Sequence, residues 1–110
     1  MKVNLGLVLL DKKGKPVMLD KENEATLGDF AFMALNTLTT DEQNLDRGKR
    51  MLRGRLAQRV VAAGTGEIDL KSEEVTMIKD SVGKLFDPWT VVQIEDMVEP
   101  PIQETKEVNQ

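Results

Sequence analysis

The chain has no cysteine, no histidine and no tyrosine in 110 residues. Without cysteine there are no disulfides, no thiolate nucleophile and no zinc–sulfur site. Without histidine the commonest general base and metal ligand is missing, and a conventional Ser-His-Asp triad cannot be built around Ser72 or Ser81. Aromatic residues are few, only Phe30, Phe32, Phe86 and Trp89, so aliphatic and methionine side chains must supply the core. No apolar run approaches the roughly 18 residues of a membrane-spanning helix. Gly64-Thr65-Gly66 is too short for a phosphate loop, and Gly83-Lys84 lacks the upstream glycine of a P-loop because Ile78 stands there. Glu73-Glu74 and Glu95-Asp96 are adjacent on helices and point apart, so they make poor acid–base pairs. These absences lead us to expect a non-catalytic protein with no metal and no cofactor. The lack of cysteine fits a reducing cytoplasm, and the opening ten residues read as a strand rather than a secretory leader.

What the chain does have is charge in the wrong place. Arg47, Lys49, Arg50, Arg53, Arg55 and Arg59 are six cations within thirteen residues that contain no carboxylate. The rest of the chain carries nine basic and nineteen acidic groups. Such a segment must be neutralised within the molecule, by another protein, or by phosphates.

The pattern along the chain implies an α+β fold, mainly helical, with an N-terminal β-hairpin packed on about four helices in one domain, residues 1–99. Val3, Leu5, Leu7 and Leu9 alternate with a second set of side chains at the period of a strand. Asp11-Lys12-Lys13-Gly14-Lys15 is a turn with Gly14 available for positive φ, and Pro16–Leu19 returns as an edge strand, giving a hairpin over 2–19. Thr26 with Asp29 marks the start of a helix over about 27–38, apolar around most of its girth and expected at the centre of the core. Thr40 with Gln43 matches a second capping box, opening a long helix over about 41–63 that Gly64 ends. Its inward stripe is expected to be Leu45, Leu52, Leu56 and Ala63, with Val60 close by. Ser72 is expected to cap a helix over about 73–86 with Val75, Ile78, Val82 and Leu85 inward. Asp87-Pro88 then starts a helix over 88–98 with Val91, Ile94 and Val98 inward. Residues 100–110 are expected to form a flexible tail.

The basic segment 47–59 could grip nucleic acid. Against this, its cations do not form one stripe: on a helical projection Arg47 and Arg50 oppose the apolar face, while Lys49 with Arg53 and Arg55 with Arg59 flank it on either side. No aromatic side chain lies among them to stack a base, and the whole chain carries a net charge of −4. The competing reading is electrostatic compensation. Residues 64–99 hold nine acids against three lysines, which balances the basic segment. That balance could be internal, or it could be made between molecules, basic face to acidic face, giving rings or filaments. Trp89 follows Pro88 at a helix start and either covers the core or anchors an interface.

The opening strand with its Asp11-Lys12-Lys13-Gly14-Lys15-Pro16 turn, the Thr26-Leu27-Gly28-Asp29 helix start, and Gly66-Glu67-Ile68-Asp69-Leu70 leading into a helix at Ser72 together resemble a class of small accessory proteins of tailed bacteriophages and prophages. The likeness covers most of residues 1–99 and brings no catalytic motif with it. It implies a phage-encoded protein in the cytoplasm of a bacterial host cell, acting through contacts with phage or host protein. Tail-assembly chaperone and regulator of a host factor are both roles it would accommodate, and self-association is compatible with the first. The partner-binding residues expected are Arg47, Lys49, Arg50, Arg53, Arg55, Arg59 and Trp89. The alternative is a nucleic-acid-associated regulator using the basic helix 47–59. No membrane contact is expected.

Overall fold

Val3, Leu5 and Leu9 are buried while Lys2, Asn4 and Leu10 face solvent, so the opening segment follows the expected alternation except at Leu7, which is 38% exposed. The computed structural model describes residues 1–100, and the tail expected over 100–110 lies beyond Pro100 outside the described residues. The fold is α+β and mainly helical. Its elements are β1 (Lys2–Asn4), α1 (Leu27–Leu35), one 3₁₀ turn (Thr40–Glu42), α2 (Arg47–Ala63), β2 (Glu67–Asp69), α3 (Ser72–Leu85) and α4 (Pro88–Val98).

The N-terminal hairpin turns where the sequence places it. Asp11 N–H donates to Lys15 O at 2.8 Å, and Gly14 has φ of 80°, a conformation side-chain-bearing residues rarely adopt. The pairing of its arms is short, a single bridge between Leu10 and Pro16. A third pass of chain at Glu24–Thr26 closes in beside both arms, bridging Val8 to Thr26 and Met18 to Glu24. Leu9 N–H donates to Ala25 O, Val17 N–H to Leu9 O, and Ala25 N–H to Val17 O, at 3.2, 2.9 and 2.7 Å. The three passes thus share their backbone bonds in a ring. The regular antiparallel partner of β1 is the distant β2, in the register Lys2–Asp69, Val3–Ile68 and Asn4–Glu67.

Thr26 caps α1 as expected: Thr26 N–H donates to the Asp29 carboxylate at 2.9 Å and Asp29 N–H to the Thr26 hydroxyl at 3.3 Å. The helix ends at Leu35 rather than 38. The carbonyls of Ala34 and Leu35, which would bond residues 38 and 39 in a longer helix, instead accept from Arg53, and the Thr37 hydroxyl donates to Met33 O at 2.7 Å. Nor is α1 buried all round. Leu27, Ala31, Ala34 and Leu35 are enclosed between α2 and α3, while Phe32 reaches the surface.

The long helix expected over 41–63 is broken. The second capping box lies one residue earlier than its sequence match: the Glu42 carboxylate accepts from Thr39 N–H and from the Thr39 hydroxyl, both at 3.1 Å. Residues 43–46 leave the helical path, and the Asp46 carboxylate restarts it by accepting Lys49 N–H at 2.8 Å. The next cap is also shifted. Glu74 reaches back to Lys71 N–H at 2.9 Å, which makes Lys71 the cap and Ser72 the first helical residue of α3. Pro88 opens α4 as expected, with the Asp87 carboxylate accepting from the Thr90 hydroxyl at 2.6 Å. Val3, Leu5, Leu9, Leu27, Leu56, Ile78, Val82, Ile94 and Val98 close into one apolar cluster beneath these elements.

Candidate functional site

The inward face of α2 is not the one its apolar pattern indicates. Arg53, Leu56, Ala57 and Val60 are buried, whereas Leu52 is 58% exposed. The helix is rotated by about 60° from the expected stripe, keeping Leu56 and Val60 inward but turning Leu52 out and a charged side chain in. Arg53 can be there because every part of its guanidinium has a partner. It donates to Glu42 Oε2 at 2.9 Å, to Leu35 O at 3.2 Å, and to Ala34 O and Thr37 O at 2.8 Å each. A buried charge is tolerated when it is paired and its donors are satisfied. Arg53 therefore acts as the C-terminal cap of α1 and as the link between α1, α2 and the 3₁₀ turn.

Glu42 is the other half of this centre. Burial alone would raise its carboxyl pKa. The hydrogen bonds from Thr39 N–H, Arg53 and the Thr39 hydroxyl outweigh that and hold it below the ordinary glutamate value. Lys84 of α3 adds a third group, 3.4 Å from Glu42 Oε2 and 3.1 Å from Asp41 Oδ2. The Thr39 hydroxyl first, and Lys84 second, hold Asp41 low as well.

Two further cations are engaged within the molecule. Arg50 reaches back across the break before α2, donating to Leu45 O at 2.9 Å and Gln43 O at 2.6 Å. Arg59 pairs with Glu74 of α3 and donates to Asp69 O of β2 at 2.8 Å. Arg47, Lys49 and Arg55 are exposed and, among the described residues, their side chains have no ion pair or hydrogen bond. The six cations expected to act together are thus split into three structural and three outward-facing groups.

What the turned helix leaves on the surface is apolar. Leu45, Leu52 and Met77 line a cleft of about 510 Å³ between α2 and α3, with the Glu42–Arg53 pair at its inner end. Lys49 stands on the α2 wall, and Glu73 and Asp80 stand on the α3 wall, with Lys84 of α3 at the Glu42 end. Sequence reasoning missed this cleft because it assigned Leu52 inward. A signal was present: Arg53, Leu56, Ala57 and Val60 follow the i, i+3, i+4, i+7 spacing once a charged residue is allowed into the stripe.

Trp89 lies apart from α2. It is 53% exposed, and its indole N–H donates to Leu10 O at 3.0 Å. Gln93, one turn on, donates to the same carbonyl at 2.7 Å and accepts Leu10 N–H at 2.9 Å. Trp89 and Gln93 together clamp the Leu10 peptide groups against α4 while the Trp89 side chain stays half exposed. Among the described residues, no helix is long and apolar enough to cross a membrane. Comparison with known proteins found no matching family model, no matching curated protein and no matching solved structure.

Proposed function

We propose that the chain is a non-catalytic protein-interaction protein whose partner docks in the α2–α3 cleft. The observation that carries this reading is Leu52, a large apolar side chain 58% exposed beside Leu45 and Met77 in a cleft with charged walls. Large apolar side chains grouped on a surface mark protein contacts when charged groups rim them. The walls differ in sign away from the Glu42–Lys84 end, Lys49 on α2 against Glu73 and Asp80 on α3, which favours one orientation of a bound segment. The resemblance to small phage accessory proteins supplies the setting, a phage-encoded protein in a bacterial host, acting in virion (tail) assembly or on a host factor.

Phosphate binding is the weaker reading because only Arg47, Lys49 and Arg55 remain for it. Three phosphate contacts give a salt slope of about −2.7 in log K against log salt, half the slope of about −5.4 that six would give. The test places a photo-crosslinkable residue at Leu52 and identifies the protein captured in the host. The complex is then rebuilt from purified components. Docking in the cleft predicts at least a tenfold loss of affinity in Leu52→Asp with folding unchanged. The reading fails if Leu52→Asp binds the captured protein as tightly as the parent chain. It fails equally if the chain binds duplex with a slope near that of three contacts, abolished by replacing Arg47, Lys49 and Arg55 with Gln.

A further inference from the structure

Two apolar surfaces remain outside the α2–α3 cleft, and they differ in charge. The first is built on α4. Trp89 and Val92 are one turn apart on the same helical face, 53% and 60% exposed, and Leu10, bonded through its carbonyl to the indole N–H, is 41% exposed. Lys12 lines the same patch, and Lys13 and Lys15 continue the turn. Of the acids beside the indole, Asp11 accepts from Lys13 N–H and Lys15 N–H, and Asp87 from the Thr90 hydroxyl, while Glu95 and Asp96 stand one turn beyond Val92, at the far end of the patch from the lysine turn.

The second surface is a recess of about 540 Å³ where α1 meets the C-terminal turns of α2. Leu19, Phe32, Met33 and Val61 line it, with Leu19 50%, Phe32 36% and Val61 60% exposed. Its charged lining is Glu24 and Asp29, and the turn leading into it adds Asp20 and Glu22 against a single lysine, Lys21. Asp20, hydrogen-bonded first to the Asn23 side chain and then to the Glu22 and Asn23 N–H groups, is held below the ordinary aspartate pKa and stays charged.

We propose that these two surfaces are the halves of one head-to-tail contact, so that the occupant of the recess is the Trp89 patch of a second copy of this chain. Complementarity argues for the pairing. The patch offers an indole, a valine and a leucine beside a lysine turn, and the recess offers apolar walls beside an acidic turn. An enclosed apolar cavity of about 150 Å³ already binds benzene, so the recess has room for an indole. Because the two surfaces share no residue, each copy carries one of each, and the contact propagates to rings or open chains rather than stopping at a twofold dimer. With few large side chains on each side, it belongs to the weak and transient class of interfaces. It goes beyond the docking reading above and uses none of the cleft residues.

The experiment is mass measurement by light scattering or sedimentation equilibrium on the full chain, with two complementary variants. Val92→Glu damages the patch and Val61→Glu the recess, at positions that are each 60% exposed. The parent chain is expected to show a mass that rises above 12.3 kDa with concentration, between about 10 μM and about 1 mM, and falls back as salt is added. Each variant alone stays at the monomer mass. An equimolar mixture of the two forms a capped heterodimer of twice that mass, since each retains the half the other lacks. A second pair, Lys12→Glu with Lys13→Glu against Glu22→Lys with Glu24→Lys, uses exposed charges if either glutamate variant misfolds: each alone stays at the monomer mass, and because both mixed contacts then pair opposite charges the mixture grows beyond the heterodimer. Leu52→Asp leaves the association intact, which separates this contact from the cleft. A parent chain that stays monomeric at about 1 mM overturns the proposal. So does a mixture that stays monomeric while the parent associates, because that outcome assigns the contact to another geometry.

Discussion

Which way α2 faces can be decided by two substitutions at neighbouring positions. If its apolar pattern were obeyed, Leu52 would be in the core and Arg53 at the surface. Leu52→Ala would then cost about 2–5 kcal/mol, and Arg53→Ala would fall within about 0.5 kcal/mol of no effect. The observed orientation reverses the order. Leu52 is 58% exposed, so Leu52→Ala should move stability by no more than about 0.5 kcal/mol. Arg53 is 6% exposed, and its removal strands the Glu42 carboxylate, whose side chain is only 9% exposed. Removing one member of a buried ion pair costs about 3–5 kcal/mol. For a domain this size that is a large part of the roughly 5–15 kcal/mol available, and a fall in Tm of about 12–20 °C.

The same centre allows the ion pair to be told apart from the carbonyl bonds. Replacing both partners with apolar residues, Glu42→Leu with Arg53→Met, removes the stranded charge, and a simple buried pair tolerates that exchange. Here it still leaves Leu35 O without a donor and Ala34 O with only the long Thr37 N–H contact of 3.5 Å, while Thr37 O, on an exposed residue, can turn to water. Unmet buried acceptors cost about 1–3 kcal/mol each, so the double variant should stay well below the parent while exceeding Arg53→Ala alone. Urea unfolding of the variants measures all of these differences. An Arg53→Ala loss under about 1 kcal/mol, or a Leu52→Ala loss above about 2 kcal/mol, would refute the assigned orientation.

Acid should act through the same carboxylate. Glu42 has a native pKa depressed below its ordinary 4.5, so its contribution is complete above that pH and is lost as pH falls through the depressed native value. Glu42→Gln should be less stable than the parent at pH 7, and the gap should narrow as pH falls below 4.5, read from urea midpoints across pH. A Cβ at Gly6 would sit 2.6 Å from Thr65 O, a backbone atom that cannot swing aside, so Gly6→Ala should cost about 1–3 kcal/mol in the same assay. Trp89→Phe removes the indole N–H from Leu10 O, but Gln93 still donates to that carbonyl. The loss should be at most about 1 kcal/mol, measured by circular dichroism because the chain has one tryptophan.

Helix existence was legible in the sequence because it rests on local signals. Thr26 with Asp29 and Asp87 with Pro88 are short-range chemistry, and α1 and α4 begin where those residues place them. The partner of β1 was not legible. Local spacing favoured the nearer return at 16–19, whereas Val3 and Leu5 are buried through pairing with Ile68 and bonding to Gly66 across more than sixty residues. The break at 43–46 was hidden for a related reason. Adjacent boxes, Thr39 with Glu42 and Thr40 with Gln43, compete for the same cap. Glu42 prevails because it also meets Arg53, a residue eleven positions on.

The charge excess of the basic segment was visible from composition, but its meaning depended on direction, which composition does not carry. Arg50, Arg53 and Arg59 bond to carbonyls in the loop before α2, at the end of α1 and at the end of β2, positions where backbone acceptors have no helical partner. A guanidinium can serve several such acceptors at once, and a lysine cannot with the same geometry. This gives a physical reason for three of the arginines to be arginine without any external phosphate. It also accounts for the exposed leucine: with Arg53 fixed inward by four hydrogen bonds, the helix phase is set, and Leu52 must turn out beside Lys49. The capping of α1 and the apolar cleft between α2 and α3 are therefore one event in the fold. A substitution that released Arg53 would alter the cleft even though it touches none of its apolar side chains.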